Sequence, residues 1–238
     1  MRQIFRNLRL LLALMGLWMG ISTQAQQDPQ FSMNMYNHMA VNPGYAGSQG
    51  MMSAAVLNRQ QWMGFEGNPK TTFFSAHMPV KPFGISSGIG LTFMDDKLGF
   101  EENLGINLSY AFRMDVGNGN LGIGLSVGLL SKSLKGDWKI PDSDFHSSAG
   151  QDPFIPSSEE SGMAFDMGLG AYYTNENFYA GLASTHILEP IVDYGLSART
   201  DIVRHYYLTS GYNIQLPNPS FELQPSIFAK SDGASFQL

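Results

Sequence analysis

The side chains that could carry chemistry are few and scattered. The five histidines are His38, His77, His146, His186 and His205, and no pair has metal-ligand spacing. No H-E-x-x-H occurs. A hydrolase needs a serine beside a histidine and an acid or asparagine, yet no G-x-S-x-G elbow is present. The chain has no cysteine. That removes disulfides, a thiol nucleophile, cysteine metal sites and a lipid-modified anchor. One acidic stretch holds Asp137, Asp142, Asp144, Asp152, Glu159 and Glu160, and oxygen ligands of this kind suit calcium. The EF-hand pattern fails there, because Ser147 stands at the glycine position and Pro153 at the closing glutamate position. A solvated acidic loop is the simpler reading. Gly122, Gly124 and Gly128 lie on one face of a strand and open no helix, so they are not a dinucleotide fingerprint. The expectation is a protein without catalysis, cofactor or bound metal.

The elements around these residues are unusual. Only 14% of residues are charged, against about 25% in soluble domains. Glycine contributes 26 of 238 residues, and the net charge is −6. No basic stripe offers a nucleic-acid surface. Arg2, Arg6 and Arg9 precede the uncharged run from Leu10 to Ile21, and Thr23-Gln24-Ala25 follows. That is the layout of a cleaved secretory signal peptide over residues 1–25. The apolar run is shorter than the about 20 residues of a spanning helix. The mature chain is exported.

Beyond residue 50, period-two alternation dominates. Leu104, Ile106, Leu108, Tyr110 and Phe112 alternate with Gly105, Asn107, Ser109, Ala111 and Arg113. The same pattern runs from Leu121 to Leu129 and from Met163 to Tyr173. These runs match the about 9–11 residues of a tilted membrane strand. Weaker runs cover Met51–Arg59, Lys70–Met78, Ile85–Met94, Phe178–Leu188, Val203–Ile214 and Phe221–Lys230, and a further strand begins at Ser235. Connections alternate between short and long, as in transmembrane barrels with short periplasmic turns and longer outer loops. Tyr172, Tyr173, Phe178 and Tyr179 lie beside a short turn, where an aromatic belt is expected. The small residues of the other face leave lumenal space or let another segment pack there. The predicted fold is all-β, a transmembrane antiparallel barrel of the outer-membrane type. A soluble sandwich is the alternative. Nine complete strands and a broken tenth do not give the even count of bacterial barrels. The barrel is therefore expected to be C-terminally incomplete in this sequence.

Two strings in the chain are distinctive. The first contains Asp28, Pro29, Gln30, Phe31 and Ser32, then Tyr36-Asn37, then Asn42, Pro43, Gly44, Tyr45, Ala46, Gly47 and Ser48. The second contains Arg59, Gln61, Trp62, Gly64, Phe65, Gly67, Pro69 and Lys70. Together they resemble the PorP/SprF family of type IX secretion outer-membrane proteins. Gly44 stands where that family usually has alanine. The resemblance implies an outer-membrane barrel that works with type IX subunits on export or surface attachment of large adhesins, including those of gliding motility.

The expected organisation is a signal peptide at 1–25, a periplasmic or lumenal segment at 26–50 and a barrel at 51–238 in contact with outer-membrane lipid. The motif residues serve as turns or as partner contacts. Trp62 and Phe65 could belong to an ordered outer loop folded inward. A diffusion channel for small solutes is the alternative function.

Overall fold

The computed structural model describes residues 29, 31, 33–135, 159–194, 199–218 and 221–237. The signal peptide, Asp28, Gln30, Ser32 and most of the acidic stretch lie outside the described residues.

Fourteen strands are described: β1 (Ser53–Gln60), β2 (Lys70–Val80), β3 (Ser87–Leu98), β4 (Glu101–Val116), β5 (Gly119–Leu134), β6 (Glu160–Thr174), β7 (Phe178–Thr185), β8 (Ile191–Asp193), β9 (Arg199–Asp201), β10 (His205–Tyr212), β11 (Ile214–Gln215), β12 (Glu222–Leu223), β13 (Ser226–Ser231) and β14 (Phe236–Gln237). Ten of them form one sheet in the order β1-β2-β3-β4-β5-β6-β7-β10-β13-β14. Each pair is antiparallel, so the sheet is an up-and-down meander. The sheet is not closed, and β1 and β14 form its two edges. Small hairpins, β8–β9 and β11–β12, interrupt the meander. No helix among the described residues is long and apolar enough to cross a membrane.

The register explains the composition. Phe93, Ile106, Leu129 and Phe165 form one cross-strand row, and Ile89, Tyr110, Leu125 and Leu169 form another. Both rows are exposed. The rows of the opposite face carry small or polar side chains, such as Gly88, Ala111, Gly124 and Gly170. A soluble sheet would hide its apolar rows and show its polar ones. This sheet does the reverse, as a lipid-facing barrel wall does. Strands β4, β5 and β6 run for 15 to 16 residues, longer than the about 9–11 needed to cross. Their excess length carries charge at the long-loop end. There Lys97 and Lys135 meet Glu102 at 2.7 and 2.6 Å, and Lys132 meets Glu101 at 3.2 Å.

The inner face is shared by almost the whole sheet. Phe73 of β2, Asn107 of β4, Asp166 of β6, Tyr207 of β10 and Lys230 of β13 all border one cavity of about 300 Å³. The sheet therefore curves around a common interior.

Several boundaries differ from the alternation pattern. The seventh strand stops at Thr185, because His186 turns the chain with φ +53°. The run from Phe221 to Lys230 is divided: Glu222–Leu223 pairs with Ile214–Gln215, and only Ser226–Ser231 joins the large sheet. Pro225, whose carbonyl accepts from the Tyr212 N–H, marks the break. The β8–β9 hairpin occupies a connection that showed no strand pattern. It folds back so that Val192, Tyr194 and Ile202 pack on Leu130, Leu134 and Ala164.

Candidate functional site

The first motif string forms a compact insert on the inner face. Three short 3-10 turns, Asn34–Tyr36, His38–Ala40 and Pro43–Tyr45, bend the chain. Asn42 precedes the last of these, with Pro43 at the first position, where a missing N–H costs nothing. The Asn42 side chain accepts from the Gly44 N–H at 2.9 Å. Its Nδ2 donates to the Ala171 carbonyl of β6 at 3.0 Å and to the Leu182 carbonyl of β7 at 3.4 Å. One asparagine thus fixes its own turn and pins it to two strands.

The approach is backbone against backbone. A Cβ on Gly44 would stand 2.8 Å from the Gly122 oxygen and 2.9 Å from the Gly170 oxygen. A Cβ on Gly124 would overlap Pro43. The glycines on the inner face of β5 and β6 are the seat of this insert, and the absence of a Cβ at Gly44 permits the close approach. Gly47 has φ +71°, and its N–H donates to His77 Nδ1 at 3.1 Å. The Ala46 carbonyl accepts from Arg113 Nη1 at 3.1 Å. Arg113 is buried on β4, and this hydrogen bond to the insert offsets part of the cost of desolvating its charge.

An aromatic cluster completes the seat. His38 lies 5.1 Å from the Tyr45 ring, 5.6 Å from Tyr172 and 5.1 Å from Tyr179. Tyr45 is edge-on to Tyr172 at 5.0 Å and to His77 at 5.0 Å. Burial lowers the His38 pKa to about 4 and raises that of Tyr45. His38 is therefore neutral over the ordinary pH range. The expected aromatic belt loses two members here. Tyr172 and Tyr179 face inward and stack on one another at 6.0 Å, because neighbouring glycines leave room for them. Tyr173 and Phe178 remain paired beside the turn at 6.5 Å.

Pro29 and Phe31 belong to the same insert. Phe31 meets Phe73 edge-on at 5.6 Å, and Pro29 borders the cavity. The cavity lies between the insert and the wall that carries Asp166. The Asp166 Oδ2 is 2.9 Å from His186 Nδ1, and the His186 ring lies 5.8 Å from that of His205. Among the described residues, no three His, Asp or Glu groups converge to hold a metal.

The second motif string is placed elsewhere. Arg59, next to last in β1, lies opposite Thr71, and Lys70 opens β2 opposite Gln60. The intervening loop is tied across its neck, where the Gln61 N–H donates to the Pro69 carbonyl at 3.0 Å. Gly64 and Gly67 have φ of +104° and +73°, and the Gly67 carbonyl accepts from the Gly99 N–H at 3.0 Å. Trp62, Met63 and Phe65 are 71, 75 and 74% exposed, so this loop does not fold inward. The turns at 42–47 of the first string are buried against the sheet, while Phe31 reaches Phe73, the partner of Leu57 in β1. The exposed loop and the buried turns form two surfaces.

The sequence matches the family described as type IX secretion system membrane protein PorP/SprF over residues 23–238. The chain belongs to that family. No curated protein and no solved structure matches it. As a PorP/SprF protein, the chain is a membrane component of the type IX secretion system.

Sequence reasoning missed His38, His77 and Arg113 as members of the insert and its seat. Arg113 had a signal: it is a lone charge on the small-residue face of β4, where it needs a partner. Asp166 had the same signal on β6.

Proposed function

We propose that this family member is an outer-membrane barrel that assists export or surface attachment of large secreted adhesins of the gliding-motility kind, without catalysis. The signal peptide directs export, and the mature N-terminus lies on the periplasmic side with the short turns. The observation that carries the reading is the family match across residues 23–238, joined to an apolar outer face that is continuous in register from β3 to β6. The interior supports assistance more than free diffusion. The N-terminal insert and the β8–β9 hairpin occupy parts of its inner face, and the cavity between the insert and the sheet holds only about 300 Å³. The exposed Trp62–Phe65 loop then lies on the outer side, where it contacts secretion subunits or the adhesin.

Removing the gene and measuring adhesin on intact cells with antibody tests the reading. Display should vanish and return with the wild-type chain. Undiminished display in the deletion strain would refute the assisting role.

A further inference from the structure

Two histidines join the insert to the sheet, one from each partner in the contact. His38 belongs to the insert and is buried against Tyr172 and Tyr179. His77 belongs to β2, is also buried, and accepts the Gly47 N–H of the insert at Nδ1. A ring nitrogen that accepts carries no hydrogen of its own, so this bond exists only while His77 is neutral. A proton there sets N–H against N–H. The Tyr45 ring touches both histidines, at 5.1 and 5.0 Å, so a shift at one is passed to the other. The titratable or charged groups that face the two rings are Tyr45 from the insert, Arg113 from β4, Tyr172 from β6 and Tyr179 from β7. The register neighbours of His77 on β1 and β3 are Ser53 and Gly90. Among the described residues no carboxylate pairs with either histidine, and Arg113 already sets a positive charge near His77.

We propose that the insert is an acid-released plug: protons taken up at His38 and His77 unseat it in one step and open the interior to small solutes. The seat admits both rings only in neutral form. A buried imidazolium with no counter-ion is costly, and a released ring regains water. Release therefore takes up two protons. The seating constant then falls by up to about 100-fold per pH unit, against about 10-fold for a single histidine. The opening rests on the barrel reading of the proposed function, whereas the unseating does not.

The chain has no cysteine, so two introduced thiols carry spin labels without background. Tyr36→Cys marks the exposed side of the insert, and Asn118→Cys marks the turn between β4 and β5. Pulsed electron paramagnetic resonance on the full chain in detergent micelles should give one narrow distance at about pH 7.5 and a longer, broad distribution at about pH 4.5. Conductance in planar bilayers should rise over the same range. His77→Gln keeps an acceptor that does not titrate, and His38→Phe keeps a ring. Each should halve the steepness of the response, and the double variant should hold the narrow distance at about pH 4.5. A wild-type distance that ignores pH, an unchanged response in the double variant, or unseating without a rise in conductance overturns the proposal. If the double variant loses the heat-modifiable gel mobility of a folded barrel, the single variants decide, and wild-type steepness in both overturns it. Secretion is not read in either measurement, so their outcome is separate from that of the proposed function.

Discussion

Asn42 and Gly124 show how little side-chain volume the insert tolerates. Asn42→Ala removes both donations to the β6 and β7 carbonyls and the cap on Gly44. It should cost about 1–3 kcal/mol, read as a lower melting temperature and faster cleavage of the insert by added protease. Gly124→Ala places a methyl group on the Pro43 backbone. Over-packing of this kind costs about 1–3 kcal/mol, and the insert should become protease-sensitive while the sheet keeps its strand signal in circular dichroism. His38 adds a pH dependence. Its folded pKa, about 4, lies below the 6.5 of an exposed histidine. Between those values the released insert binds the proton and the seated one does not, so stability falls as pH drops from about 6.5 to 4. The gap corresponds to about 3 kcal/mol at most. Protease sensitivity of the insert should rise on acidification, and His38→Phe should flatten that rise.

At the scale of elements, alternation read the wall well. The pattern from Leu104 to Phe112 assigns each of those residues of β4 to its observed face, because the two faces of the sheet impose opposite demands on successive positions. Alternation fixes a side chain's face but not what that face meets. Tyr172 shows the limit: its place in the alternation points inward, while its nearness to a turn argues for the belt. The turn argument fails because the adjacent glycines create space for the ring. The β8–β9 hairpin was illegible for a related reason. Its three-residue strands are too short for any period, and its apolar side chains answer to Leu130 and Ala164, more than 20 residues away. Val192 is fully buried there. Val192→Asp should detach the hairpin and open the long-loop end, seen as larger single-channel conductance in planar bilayers.

For the whole molecule, the turns of the first motif string are buried against the sheet and the Trp62–Phe65 loop of the second is exposed, so the two should fail differently when mutated. Trp62→Ala with Phe65→Ala alters an exposed loop. Stability should change by less than about 0.5 kcal/mol, while adhesin on the cell surface should fall several-fold. Unchanged display would place the partner contact elsewhere. The family resemblance was legible in those strings, yet the burial of one and the exposure of the other were not, because a motif does not say which surface its segment meets.

The seat of the insert also dictates an order of events. Asn42 bonds to carbonyls 129 and 140 positions later in the chain. The Asn42 segment therefore cannot dock fully until β7 has been laid down. Contacts of such long sequence separation form slowly, because the intervening chain must be closed before they reward it. During that interval the strands from β1 to β7 assemble around an interior that the insert has not yet filled.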